Sequence, residues 1–279
     1  MKIVSNRYGK RRVRILKILA DGSRRDVKEL DVSCLLQGDF AAAFSAADNS
    51  PVVPTDTIKN TVTALAHKLL GRETERFGLD LCRHFLGRYS QIGHVEVEIR
   101  EQCWNRHVVG GKPHEHTFVA RSGVPFARVA AARGRAEEIE SGIEDLLIMK
   151  CTGSGFAGYP RCEFTTLPET SDRILATRVR AVWKFSAAPA DFNAANEAIL
   201  NAMLDVFAVT YSPSVQATIH DMAAAAFSAC PQISRIALAL PNKHYLLANL
   251  KPFGMENSNV TFVPTDEPHG QIEAVIERS

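Results

Sequence analysis

The chain is 279 residues long, 46% hydrophobic and 23% charged, with a formal net charge of +2. That length buries a large core in one big domain or two medium ones. A charge so near zero excludes nucleic acid as the main partner, which would select a strongly basic domain, and no stretch approaches the ~18 continuous apolar residues of a membrane helix.

The N-terminus, MKIVSNRYGK, lacks the apolar core of a signal peptide. Residues 10–19 (KRRVRILKIL) predict a strand, and the basic run Arg7, Lys10, Arg11, Arg12 and Arg14 reads as its solvated face. The Asp21-Gly22 turn and a second strand from Asp26 to about Leu36 complete a hairpin. Pro54 blocks any helix from entering the next segment. A helix from Thr57 follows, with Ile58, Val62, Leu65 and Leu69 on one face. Three polar residues crowd its start. Thr55, Asp56 or Thr57 could each cap it by accepting a bond from an orphan N–H. A helix start also presents free N–H groups and partial positive charge, a seat for an anion.

A second helix spans about 74–89, with Phe77, Leu81, Phe85 and Tyr89 four apart. Then HVEVEIR alternates, with Val95, Val97 and Ile99 on one side. A turn at Gly110-Gly111 leads to the strand HEHTFVA. Residues 121–141, polar and Ala/Arg-rich, predict a protruding connection. The second half repeats the order: strands DLLIMKC and ILATRVRAVWKF, a helix over 190–208, and a helix from Ser214 with Val215, Ile219 and Met222 on one face. The strands ISRIALAL and HYLLANL flank a turn at Pro241-Asn242, and QIEAVIER closes the chain. Paired helices between hairpins predict an α+β fold. It has two tandem units, 1–135 and 136–279, each an antiparallel sheet with two helices on one face. Such sheets leave open edges, which favours assembly by edge pairing.

Six scattered cysteines with no CxxC pair predict reduced thiols in a cytosolic protein. Gly153-Ser-Gly155-Phe-Ala-Gly158 matches GxGxxG, but YPRCEFTTLPET follows where a dinucleotide site needs a helix. His114-x-His116 offers two imidazoles on one strand face, with only Cys103 near as a third ligand, so no metal is predicted. Taken singly, Lys10 reads as a surface lysine, His244 as a structural histidine and Arg173 as a solvated charge, while Gln216 sits in the first turn of its helix as Thr55 does.

Taken together, six segments resemble urate oxidase (uricase), the cofactor-free family of purine breakdown. They are RYGKRRVR at 7–14, VVPTDTIKNT at 52–61, GKPHEHTF at 111–118, FTTLPETSDRIL at 164–175, SPSVQATI at 212–219 and LPNKHYLL at 240–247. The resemblance implies two tunnelling-fold units per chain, assembled through sheet edges into a homotetrameric barrel. It implies urate and O2 as substrates and no cofactor. It implies that Thr55, backed by Asp56, serves the site of a neighbouring subunit. Arg173 and Gln216 would grip the urate ring edge, and Phe156 would stack on the purine face. Val215 and Leu167 would line the pocket, and Asn242 would hold dioxygen and later water. Lys10, Thr55 and His244 match the family's proton relay. Two departures stand out: Pro54 replaces a commonly small residue, and the C-terminal IERS is not a peroxisomal address, which points to a cytoplasmic, bacterial-type enzyme. The rival readings are a tunnelling-fold purine or pterin binder without chemistry and a zinc enzyme of the same fold.

Overall fold

The computed structural model describes residues 3–278. By compactness the chain divides into two units, residues 1–143 with 183–196, and residues 144–182 with 197–279.

The first unit opens with the hairpin β1 (Tyr8–Asp21) and β2 (Arg24–Gly38). A short helix α1 (Ala41–Ser45) precedes α2 (Thr55–Leu69) and α3 (Thr74–Arg88), and β3 (Ile92–Gln102) pairs antiparallel with β2. The alternation predicted for β3 holds, with Val95, Val97 and Ile99 buried. The helix faces differ in part. In α3 Phe77, Leu81 and Phe85 are buried as predicted, but α2 buries Ile58, Val62 and Ala66 and leaves Leu69 50% exposed. Ile58, Val62 and Ala66 follow one another at steps of four, and Leu69 is the last residue of the helix. Lys17 of β1 closes the helix by donating to the carbonyls of Ala66, His67 and Leu70 at 2.9, 2.9 and 2.7 Å.

The strand beside β3 is not the predicted one. β4 (Trp104–Val109) and β5 (Lys112–Ala120) form a separate two-stranded ribbon. The partner of β3 is β6 (Val124–Ala132), followed by β7 (Glu138–Lys150). Residues 121–141 are therefore largely strand and not a protruding connection. Phe126, Ala127, Val129 and Ala131 of β6 are buried. Alanine carries a weak strand signal, but here small side chains let α3 lie close. A Cβ on Gly78 of α3 would come within 2.8 Å of Val129 Cγ2.

In the second unit β8 (Leu175–Phe185) leads to α4 (Phe192–Val209) and α5 (Val215–Ala229), with residues 183–196 belonging to the first unit. The strands β9 (Ile233–Ala239) and β10 (Asn242–Leu247) do not form the predicted hairpin. Both pair with β8; β10 also pairs with β11 (Phe262–Gly270) and β9 with β12 (Glu273–Glu277). Each unit is thus helices against mainly antiparallel strands, an α+β fold, and among the described residues the strands do not close into a barrel. Among the described residues no helix is long and apolar enough to cross a membrane.

Candidate active site

Three of the residues singled out from sequence lie in the first unit. Lys10 is half-buried on β1, opposite Cys34 and just before a bulge that ends at Val13. Helix α2 begins at Thr55, two residues earlier than predicted, and Pro54 occupies its cap position without a side-chain bond. The polar trio therefore does not cap the helix. The first helical bond runs from Ile58 N to Pro54 O at 3.0 Å. The N–H groups of Thr55, Asp56 and Thr57 come before that ladder and lie at the positive end of the helix. Thr55 and Asp56 are exposed. Asp56 is engaged along its own helix by Lys59 and by Asn60 Nδ2 at 3.0 Å. The Lys59 hydrogen bond is the main reason its pKa is lowered, and Lys10 adds to the effect through its charge. Tyr8 anchors this corner, a role no sequence signal announced. Its hydroxyl accepts from Val53 N at 2.8 Å, and its ring stands edge-on to Phe40 with centroids 4.8 Å apart.

The other seven lie in the second unit. Arg173 precedes β8; its N–H donates to Ser154 O at 2.8 Å and its guanidinium lies 5.4 Å from the Phe156 ring centroid. Burial lowers its pKa from the ordinary arginine value, and its Nε–H is buried with no hydrogen-bond partner. Phe156 is pinned through its backbone to Thr170, with bonds of 2.8 and 3.1 Å. Its ring stacks on Tyr159 at 4.9 Å and 14°, and Tyr159 Oη donates to Leu167 O at 2.5 Å. Leu167 itself is 51% exposed. The glycine between Ser154 and Phe156 is dictated by space, because a Cβ on Gly155 would lie 2.3 Å from Tyr211 Oη and 2.8 Å from Thr170 O. That accounts for one glycine of the GxGxxG match without any nucleotide, and no helix follows the match.

Ser214 caps α5 by accepting from Ala217 N at 3.1 Å, so the helix presents Val215 and Gln216 in its first turn. Val215 is buried and Gln216 exposed. Asn242 opens β10 opposite Thr177 of β8, and a bulge against β11 separates it from His244. Such a bulge re-aims neighbouring side chains. The His244 carbonyl accepts from Thr265 Oγ1 at 3.2 Å, and Lys243 between them is paired with Asp266. The histidines of β5 make an edge-to-face pair, His114 and His116, with centroids 4.5 Å apart. Among the described residues no group of three His, Cys, Asp or Glu side chains stands ready to hold a metal.

What this second-unit cluster offers is a desolvated cation with a free N–H beside an aromatic face, suited to a planar anion. Comparison with known proteins gives it a family. The family model for uricase matches residues 6–128 and 139–273. The chain belongs to the uricase family. It is 40% identical to the uricase of Dictyostelium discoideum over 281 residues, covering 99% of this chain and 98% of that protein. It is 39% identical to the uricase of Arthrobacter globiformis, covering 98% and 89%. The crystal structure of uricase from Arthrobacter globiformis superposes with a TM-score of 0.93 at 40% identity, covering 100% of this chain and 96% of that one. The fold is therefore the uricase fold, and the sequence resemblance holds along nearly the whole chain. The interruption of the family match, residues 129–138, falls within the segment misread as a connection.

Proposed function

We propose that this chain is a urate oxidase that converts urate, O2 and water to 5-hydroxyisourate and H2O2 without a cofactor. The observation that carries the reading is Arg173. A buried guanidinium N–H without a partner is costly unless a ligand completes it. Urate is a planar monoanion at neutral pH whose edge carries adjacent carbonyl and N–H groups. The guanidinium supplies forked donors, and the Gln216 amide supplies both a donor and an acceptor. Phe156 takes the purine face, and Val215 and Leu167 line the pocket.

The chemistry is then proton movement around an electron-rich ring. Lys10, Thr55 and His244 form the relay. A hydroxyl is a weak base alone and needs the amine and the imidazole as partners. The urate dianion passes electrons to O2 held above the ring by Asn242. The resulting peroxide loses H2O2, and water adds at the same carbon. Lys10, Thr55 and Asp56 belong to the first unit and the other seven residues to the second. In the proposed homotetramer, open sheet edges pair between copies, so the first-unit trio of one copy completes the site of another. Leu16 and Ile18 of β1, each 58% exposed, support such a covered surface.

The test is aerobic urate with purified protein, followed by the fall of urate ultraviolet absorbance and by one H2O2 per urate. Chelator-treated protein should react equally well. No loss of urate would overturn the reading, and activity lost to chelator and restored by a metal would overturn its cofactor-free form.

A further inference from the structure

Buried side-chain polar atoms without a partner are rare, and three of them fall in the second unit around the proposed site: Ser154 Oγ, Arg173 Nε and Thr177 Oγ1. Arg173 is absorbed by the proposal above. Thr177 is not. It is fully buried on β8, at 0% exposure, and in the antiparallel register it stands directly opposite Asn242. Directly opposed residues of an antiparallel pair project to the same face with Cβ atoms about 4.5–5.5 Å apart. The side chain across that register position on β10 is therefore the amide proposed to hold dioxygen and water.

Resting on that reading of Asn242, we infer that Thr177 is a positioning residue, whose hydroxyl donates to Asn242 Oδ1 in the loaded site and so aims Nδ2–H at the oxygen species. An amide has an acceptor end and a donor end, and free rotation would present either one. Dioxygen gains negative charge as it is reduced, so the donor end is the one the reaction needs. A hydroxyl that donates to the carbonyl end fixes that choice. The hydroxyl carries the function, and the methyl group packs in the core. An unpaired buried hydroxyl weakens the ligand-free fold. Its removal should therefore not lower stability, which separates this role from a structural one.

The test uses the full chain with Thr177→Val, Thr177→Ser, Asn242→Ala and the double variant Thr177→Val/Asn242→Ala. Thr177→Val should lower kcat about tenfold, the worth of one hydrogen bond. Its urate KM should move less than about threefold, and its Tm should be equal or higher. Thr177→Ser should restore most of the rate. The double variant should be no slower than Asn242→Ala alone, because two groups acting as one unit are not additive. Wild-type kcat in Thr177→Val, fully additive losses, or a serine variant as slow as the valine variant would each overturn the inference. If Thr177→Val fails to fold, the serine variant and Thr177→Ala carry the same comparison. A wild-type protein that leaves urate untouched would sink the functional reading itself, a separate result.

Discussion

The Arg173 guanidinium rests 5.4 Å from the centroid of the Phe156 ring and keeps a buried Nε–H unpaired. Fork and ring are thus set as one unit. Arg173→Ala should raise the urate KM at least about tenfold, since charge-assisted bonds are worth more than neutral ones. Arg173→Lys keeps the charge but loses the planar fork, so it should recover only part of the affinity. Steady-state kinetics on both variants check this. An unchanged KM in Arg173→Ala would remove Arg173 from the binding site.

Gly155 sets the place of that unit. Its backbone lies against Tyr211 Oη, which itself donates to Ser171 O at 2.9 Å. Gly155→Ala would force the segment carrying Phe156 away from Thr170, at a cost of about 1–3 kcal/mol for overpacking. It should lower Tm and raise the urate KM together. Adding Tyr211→Phe removes the nearest clashing atom and should recover part of both, leaving the 2.8 Å contact with Thr170 O. No recovery in the double variant would show that the backbone contact alone decides the fit.

Asp26 governs how the β4–β5 ribbon docks. Arg106 of β4 is bonded to Asp26 and Arg25 O, donates to His114 O and Glu115 O at 2.9 and 2.7 Å, and covers the Phe118 ring at 4.9 Å. The Arg106 hydrogen bond, together with nearby positive charge, lowers the Asp26 pKa from its usual value of 3.8. A carboxylate with a lowered folded pKa contributes stability above its unfolded value and loses it as pH falls through the folded one. Asp26→Asn should therefore destabilise by on the order of 1 kcal/mol at neutral pH. That gap should shrink below about pH 4. Thermal unfolding of both proteins from about pH 3 to about pH 7 reads it. A gap that does not change with pH would mean that the ion pair contributes nothing.

These positions show where sequence was readable. Strands β2 and β3 and helix α3 declared themselves, because large apolar residues recur at fixed steps and face one core. Strand β6 did not, because its buried face is built from Ala127, Val129 and Ala131 under a glycine of α3, and alanine favours helix and carries little strand signal. Strand β11 was hidden by Pro264 and Pro268, which read as breakers but are tolerated near a sheet edge. In the candidate site the residues proposed to grip urate were named from the family likeness, since lone polar residues carry no period. The roles of Tyr8 and Tyr211 were invisible, because each acts through one backbone group far away in sequence, and Gly155 was visible only as part of a GxGxxG match.

The division of the candidate residues between units gives a test of assembly. Thr55 lies in the first unit and Arg173 in the second. Thr55→Ala and Arg173→Ala proteins, each impaired at low urate, should together regain activity at low urate after joint dissociation and reassociation, because some mixed sites would draw both native residues from different copies. Native mass spectrometry would confirm the hybrids. Hybrids without any activity would place the whole site within one chain.

Lys10 is the most exacting case, since sequence alone makes it one more member of a basic strand. Its neighbours show what an ordinary member looks like. Arg12 is exposed, pairs with Asp31 at 3.3 Å and has φ 59 at the bulge of β1, so replacing it disturbs backbone as well as charge. Arg14 is exposed, pairs with Glu29 at 2.9 Å and stands in regular strand, which makes it the cleaner control. Lys10 is half-buried beside them, and its charge reaches Asp56 at the start of α2. If it relays protons with Thr55 and His244, its loss falls on the steps where protons move and not on urate binding. General acid–base help is worth about 10²–10⁴-fold, so Lys10→Met should lose at least about two orders of magnitude in kcat, with a smaller change in KM. His244→Ala should behave alike. Arg14→Ala should cost within about 0.5 kcal/mol of stability and leave kcat near wild type. The measurement is kcat and KM for the three variants under saturating oxygen. Equal, small effects for Lys10→Met and Arg14→Ala would remove Lys10 from the relay and return it to the solvated face of β1.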